Sequence, residues 1–105
     1  MITATVYRVE NRRGQGPYIT GWKGKGGWAL GYLHSDARHP GPIQSFGKQY
    51  RGFLYGFESM QALYKWFGGY LPRLLSDGYK IVKIPNAEIE DRDPNGLQVV
   101  FRDTR

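Results

Sequence analysis

Two clusters of side chains have the types and spacing of metal ligands. His34, Asp36 and His39 could bind zinc or nickel through imidazole and carboxylate groups. The run from Asp91 to Gly96 matches the opening D-x-D-x-N-G of a calcium loop, but such a loop requires a glutamate where this chain has Arg102. Nothing in the proline-flanked histidine loop favours convergent ligands. The sequence therefore predicts no metal site.

Motifs for nucleotide binding and catalysis are incomplete. Residues 24–29 match G-x-G-x-x-A, but that fingerprint needs a strand-to-helix turn and an acid about 20 residues later. Gln44 and Lys48 stand at that distance, and neither is acidic. The chain has no cysteine, and none of its serines lies in a nucleophile elbow. We therefore predict no catalytic residue and no cofactor, and we favour a protein that is not an enzyme.

Basic side chains alternate with aromatic ones over residues 12–32, and this is the strongest functional signal. Lysine and arginine neutralise phosphates while aromatic rings stack on bases, a combination that suits single-stranded nucleic acid or a nucleotide. The same residue types dominate protein–protein contacts, and aromatic residues of a glycine-rich hairpin also fill cores. All three interpretations stay open. The candidate binding residues are Arg12, Arg13, Trp22, Lys23, Lys25 and Trp28.

The positive charge is concentrated in the first half of the chain. The net charge is +6, and residues 1–57 carry eight basic and two acidic side chains, whereas residues 58–105 carry seven of each. A basic face attracts nucleic acid, nucleotides or acidic protein surfaces. A charge of this size also serves solubility alone, so it indicates the class of partner without identifying one.

The candidate residues must be positioned by a mixture of strands and helices. Residues 2–9 alternate as a strand, which places Arg8 on the same face as Val6, and the glycines and proline of residues 11–17 indicate a loop. Ser59 can cap an amphipathic helix that ends at two glycines. Further elements are predicted as a strand at 51–56, a second helix at 71–77 with Pro72 in its first turn, a strand at 79–84 that Pro85 stops, a turn at 91–96 and a strand at 97–102.

Length and composition limit the architecture and the compartment. A chain of 105 residues is sufficient for one domain, residues 1–105, and 15 glycines with 6 prolines argue against a purely helical fold. We expect an α+β fold in which a mostly antiparallel sheet packs against one central helix or a short helix pair. No apolar run is long enough for a membrane span and no signal peptide is evident, so we expect a cytoplasmic protein.

Several blocks of the sequence resemble small accessory proteins encoded by phages and prophages. They are the YRVE motif at residues 7–10, the G-x-G-P-Y motif at 14–18, the G-F-x-S motif at 56–59 and the QVVF motif at 98–101. The resemblance implies a viral accessory role, such as blocking a bacterial defence system, including anti-CRISPR activity. Inhibitors that mimic DNA have acidic faces, whereas this chain is basic.

A fainter similarity is to ADP-ribosyltransferase domains. Those domains carry an arginine on the first strand, a serine at a strand end before a helix and a glutamate near the last strands, and together these residues hold NAD. Arg8, Ser59 and Gln98 occur here in that order. The glutamine cannot supply the negative charge that such a transfer requires. The similarity implies an NAD-binding enzyme or a degenerate enzyme.

The leading hypothesis is a phage-type accessory protein that binds and inhibits a host protein or ribonucleoprotein complex. The basic and aromatic N-terminal surface would make the contact, in the cytoplasm of the bacterial host and without a membrane. The alternatives are an ADP-ribosyltransferase-like protein that uses Arg8, Ser59 and Gln98, and a sequence-tolerant binder of single-stranded nucleic acid. The sequence leaves the oligomeric state open.

Overall fold

The first strand, β1 (Ile2–Glu10), forms where β-branched and aromatic residues alternate. The structure is a computed structural model that describes residues 2–14, 16, 52–93 and 98–105. After β1 the described elements are β2 (Leu54–Gly56), α1 (Met60–Phe67), a short 3₁₀ turn (Gly68–Tyr70), α2 (Leu71–Ser76), β3 (Lys80–Arg92) and β4 (Val99–Arg102).

The described strands form one antiparallel sheet in the order β1-β3-β4-β2. The helix pair packs on one side of this sheet, so the predicted α+β fold is confirmed. The strand predicted at 51–56 is shorter than expected, at three residues, and β4 begins at Val99. The glycines and lysines of residues 23–27 also predict a loop or hairpin tip, and that segment lies outside the described residues.

The helix pair is bounded by the residues that the sequence indicates. The Ser59 hydroxyl accepts a hydrogen bond from the backbone N–H of Ala62 at 3.1 Å, which caps α1. Gly68 ends that helix with a positive φ of 53°, a conformation that glycine adopts without strain. Pro72 stands in the first turn of α2. Within the described part of the chain, no helix is long and apolar enough to cross a membrane.

The prediction that Pro85 ends a strand is wrong. β3 runs for 13 residues through Pro85 to Arg92, so Asp91 and Arg92, predicted to open a turn, belong to the strand. Pro85 and Asn86, the latter with a φ of 56°, together stand opposite Thr5 of β1 as a bulge. A bulge leaves one residue out of the ladder, and a proline is tolerated there because no N–H is required.

Two bulges in β3 bend the sheet until its outer strands meet. The second bulge lies at Glu90, between the residues that pair with β4. Tyr7 of β1 and Phe57, directly after β2, exchange backbone hydrogen bonds of 2.7 and 2.8 Å. Gly56 permits this approach, since a Cβ atom there would lie 2.5 Å from Val6 Cγ1. The result is a curled sheet that is nearly a small barrel.

The curled sheet separates two apolar clusters. One lies on its inner side and contains Val6, Ile84, Ala87, Val99 and Phe101. The other lies between the sheet and the helix pair. It contains Val9, Phe57, Leu63, Trp66, Phe67, Leu71, Leu74 and Tyr79. Because alternate residues of β1 enter different clusters, Val6 and Val9 belong to opposite faces, and Arg8 extends the face of Val6 towards the end of the strand.

Candidate functional site

Arg8 is buried, although an arginine ordinarily lies at the surface of a protein. Its exposed fraction is 8%. All three guanidinium nitrogens donate hydrogen bonds within the protein: Nε to Glu10 Oε2 at 2.9 Å, Nη1 to the Tyr55 carbonyl at 2.9 Å and Nη2 to the Gly14 carbonyl at 3.4 Å. Arg8 therefore joins β1 to β2 and to the turn that follows β1.

Glu10 connects Arg8 to the last residue of the chain. Arg105 donates from Nη1 to Glu10 Oε1 and from Nη2 to Glu10 Oε2, both at 2.7 Å. The Arg105 Nε also donates to Asp103 Oδ1 at 2.9 Å. We call Arg8, Glu10, Asp103 and Arg105 the ion-pair network. It contains two positive and two negative side chains, so it adds no net charge to this end of the sheet.

The protonation states in the network follow from burial and from its hydrogen bonds. Burial acts to raise the pKa of Glu10, but hydrogen bonds and charges from Arg105 and Arg8 outweigh it and leave that pKa below its ordinary value. Burial lowers the pKa of Arg8, and Glu10 opposes this effect. The hydrogen bond from Arg105 lowers the pKa of Asp103. All four groups are thus charged at neutral pH.

A tight turn after β1 exposes two predicted binding residues, Arg12 and Arg13. The turn is closed by a bond from the Gly14 N–H to the Asn11 carbonyl at 3.0 Å, and the Asn11 side chain accepts from the Arg13 N–H at 2.9 Å. Gly14 has a φ of 75°. Since Arg8 binds the Gly14 carbonyl, the ion-pair network anchors the turn.

Lys80 adds a third cation beside this turn. It pairs with Glu10 in the register of β1 and β3, and its side chain is exposed. Within the described residues, Arg12, Arg13 and Lys80 form no ion pair. We call these three residues the basic end. Sequence reasoning missed Lys80, because its position beside the turn depends on the strand register.

Four of the predicted binding residues, Trp22, Lys23, Lys25 and Trp28, lie outside the described residues. The histidine cluster of His34, Asp36 and His39 does as well. Among the residues that the structure describes, no group of three potential ligands is arranged to hold a metal ion.

Gln98 lines two cavities. Each of them also contains one of the other two residues of the transferase-like pattern. Arg8 and Gln98 both line a cavity of about 260 Å³, whose other described lining is mainly aromatic and includes Phe53, Tyr55 and Trp66. Ser59 and Gln98 line a second cavity of similar volume. Of these two cavities, Arg8 lines the first and Ser59 the second. The Ser59 hydroxyl is engaged as the α1 cap.

Sequence reasoning identified Arg8 but missed its partners. Strand alternation places Glu10 on the same face as Arg8, which was a usable signal for that pair. No local pattern indicates Arg105, since 95 positions separate it from Glu10.

The fold and the site define a small α+β protein with a curled antiparallel sheet, a neutral ion-pair network that is buried at Arg8 and Glu10, and an exposed basic end. The family model described as Bacteriophage T4 Y00F protein matches residues 1–105, and the chain belongs to that family. The expected origin among phage proteins is thereby confirmed. No curated protein and no solved structure matches the chain.

Proposed function

We propose that this phage protein is an accessory protein that binds and inhibits a host macromolecular complex, and that its basic end contacts an anionic surface of that complex. The supporting observation is the turn at residues 11–14, which exposes Arg12 and Arg13 and is itself fixed by the ion-pair network. A cation held in place loses less conformational freedom on binding than one on a mobile loop. The protein acts in the bacterial cytoplasm and needs no cofactor for this role.

Affinity capture from a bacterial lysate tests the contact. The bait is the full chain, compared with a variant carrying Arg12→Ala and Arg13→Ala. The matched control carries Arg73→Ala and Arg102→Ala, which removes the same charge from two exposed arginines that are ion-paired with Asp77 and Glu88. We expect the first variant to lose a specific host partner and the control to retain it. Equal capture by all three proteins would refute the role of the basic end.

Inhibition is tested separately in living cells. The protein is expressed in a host that carries a defined defence system, such as CRISPR interference, and the plaquing efficiency of a targeted phage is measured. An inhibitor raises plaquing, and the Arg12→Ala, Arg13→Ala variant should lose most of that increase. Unchanged plaquing across a panel of defence systems would argue against defence inhibition as the activity.

A direct contact with nucleic acid is the alternative that the same residues favour. If the three cations of the basic end each neutralise one phosphate, log K for single-stranded DNA should fall with log salt at a slope of about −2. Fluorescence anisotropy of a labelled oligonucleotide at several salt concentrations measures this slope. A slope of about −2 that becomes shallower in the Arg12→Ala variant would indicate that the partner is nucleic acid and not a protein.

An NAD-binding role is supported by one observation, the cavity that Arg8 shares with Gln98. Against this role, the Arg8 guanidinium already donates to Glu10, Tyr55 and Gly14 and is compensated by a carboxylate. Calorimetric titration with NAD discriminates the two cases. Millimolar NAD that releases no heat would remove this alternative, whereas saturable binding that is lost on Gln98→Ala would support it.

A further inference from the structure

The curled sheet leaves a cavity where β1 and β2 part. The two strands meet at Tyr7 and Phe57, and the described residues form no further backbone pairing between these strands beyond that contact. The cavity of about 260 Å³ lies in this gap, since its lining includes Arg8 and Val9 from β1 and residues 53–55 at the start of β2. Small-molecule sites usually enclose about 300–1,000 Å³, so this cavity suits a ligand of less than drug size.

Aromatic side chains form most of the described lining of this cavity. Phe57, Trp66 and Phe67 are buried, and the ring centroid of Phe57 lies 5.8 Å from those of both other rings. Phe53 and Tyr55 are half-buried and lie nearer the solvent. Aromatic rings favour planar ring systems, which stack on their faces or pack against their edges. The cavity therefore favours a flat aromatic ligand.

The Arg8 guanidinium brings unused hydrogen-bond donors to this cavity. A guanidinium has five N–H groups, and Arg8 donates once from each of Nε, Nη1 and Nη2. Nη1 and Nη2 each keep a second N–H, for which the described part of the chain supplies no acceptor. Gly16 also lines the cavity, and a Cβ there would lie 3.4 Å from both nitrogens, so they lie at its wall. Because a buried donor without an acceptor is unfavourable, the cavity favours a ligand with two adjacent acceptors.

The charge balance around the cavity selects a neutral ligand. Glu10 is ion-paired with both Arg8 and Arg105, and Arg105 also pairs with Asp103, so the four charges cancel. A phosphate or carboxylate bound to Arg8 would lie near Glu10 and would add an uncompensated negative charge in a partly buried position. Uncharged acceptor atoms avoid this cost while they bond to the same two N–H groups.

We propose that this cavity binds a guanine base, whose N7 and O6 accept hydrogen bonds from Nη1 and Nη2 of Arg8 while its rings pack against the aromatic lining. Guanine presents these two acceptors side by side, and they are the commonest base partner of an arginine. Adenine has an amino group in place of O6, which would direct a donor at the guanidinium. Cytosine has adjacent acceptors as well, but its single ring offers less area to the aromatic side chains.

The binding of GMP to the full chain tests this proposal, with AMP as the matched ligand. Both nucleotides carry the same ribose phosphate and a two-ring base, so only the base itself differs. Nuclear magnetic resonance of the isotope-labelled protein follows the Gly16 amide and the Arg8 Nε–H during titration. We expect saturable shifts at both positions with GMP and a dissociation constant of about 0.1–1 mM, as for other small ligands. AMP should bind about 5- to 100-fold more weakly, which is the discrimination that a bidentate contact provides.

Gly16→Ala is the decisive variant, because its methyl group would cover the two unused N–H groups without replacing Arg8. It should weaken GMP binding by about fivefold or more, with circular dichroism and thermal midpoint unchanged. Gly69→Ala is the matched control, since a Cβ there would enter open space, and it should bind GMP as the wild type does. Phe53→Leu is a second variant, which keeps an apolar side chain at the cavity but removes its ring. The loss of stacking should weaken GMP binding by about fivefold or more.

The base belongs either to a free nucleotide or to an unpaired position of a single strand, because both present the same edge. A thymine oligonucleotide with one central guanine, compared with the strand of thymines alone, distinguishes these sources. If the guanine-containing strand binds at least tenfold more tightly than GMP, the base is that of a nucleic acid. Equal or weaker binding assigns the site to a free nucleotide.

Three results would overturn the proposal. They are unshifted Gly16 and Arg8 resonances at millimolar GMP, equal affinities for GMP and AMP, and undiminished GMP binding by folded Gly16→Ala and Phe53→Leu variants. Arg12 and Arg13 are not among the described lining of the cavity, so the base site does not rest on the contact proposed for the basic end. The Arg12→Ala, Arg13→Ala variant should still discriminate GMP from AMP, which separates a failure of host capture from a failure of the base site.

Discussion

The Glu10 carboxylate is shared by two arginines, so its replacement tests the reasoning about the ion-pair network most directly. Glu10→Gln keeps the size of the side chain and removes its charge. Both carboxylate oxygens accept bonds from Arg105 at 2.7 Å, and Oε2 also accepts from Arg8 at 2.9 Å. An amide presents one acceptor and one donor. Its N–H₂ group would therefore face a guanidinium, and at least one of these bonds is lost.

The expected cost follows from the burial of the pair. Removing one partner of a buried ion pair costs about 3–5 kcal/mol, because the remaining charge is left uncompensated. The Glu10 side chain is 5% exposed, but that of Arg105 is 38% exposed, so water screens part of the interaction. We therefore take the lower end, about 3 kcal/mol. For a domain of this size the midpoint of thermal unfolding should fall by roughly 12–24 °C.

Urea and thermal denaturation at pH 7, followed by tryptophan fluorescence and circular dichroism, measure this loss. The matched control is Glu90→Gln, which makes the same change at an exposed position of β3 and should alter stability by less than about 0.5 kcal/mol. If Glu10→Gln is no more destabilising than its control, the network does not stabilise the fold and the reasoning is refuted.

The lowered pKa of Glu10 also predicts how the free energy of unfolding depends on pH. The folded-state pKa of Glu10 lies below its ordinary value of 4.5. The ionised carboxylate therefore stabilises the fold fully above pH 4.5, and this stabilisation is lost as the pH falls through the lower pKa of the folded state. The pKa of Asp103 is lowered as well and acts in the same direction. The wild type should therefore lose stability below about pH 4.5. The stability difference between wild type and Glu10→Gln should narrow over the same range, and a constant difference would contradict the assignment.

Two further substitutions test the closure of the sheet and the start of the helix pair. Gly56→Ala places a Cβ 2.5 Å from Val6 Cγ1 and 2.9 Å from the Tyr7 carbonyl oxygen. We expect this clash to lower the free energy of unfolding in urea by about 1–3 kcal/mol. Unchanged stability would mean that β2 does not approach β1 so closely. Ser59→Ala removes the hydrogen bond from the Ala62 N–H and should lower the free energy of unfolding by about 1 kcal/mol. Ser59→Asp should retain most of the capping interaction. Equal losses of stability for both variants would contradict the capping role.

The local elements of this protein follow from its sequence because their causes are local. Ser59, the apolar spacing after it and Gly68 define α1 by capping, by periodicity and by a left-handed glycine. The alternation of residues 2–9 defines β1 for the same kind of reason. The exposure of Arg12 and Arg13 also follows from a short-range signal, the turn-forming residues Asn11 and Gly14.

Properties that depend on strand pairing could not be predicted in this way. Pro85 has the local signature of a strand end, yet β3 continues through it, because a bulge against β1 removes the need for its N–H. The burial of Arg8 depends on the carbonyl group of Tyr55, which reaches it only when the sheet curls. Each of these results depends on which strands become neighbours, and local propensity does not encode that choice.

The sequence alone therefore determined the α+β class, the helix pair, the charge asymmetry and the exposed arginine turn. Only the tertiary structure decided that Arg8 is a structural cation, that Arg105 compensates Glu10, and that Lys80 joins Arg12 and Arg13 at one end of the sheet. The physical reason is the range of the interactions. Capping, alternation and turn formation act over a few residues, whereas ion pairs and sheet closure join groups that are distant in sequence and meet only after the strands have paired.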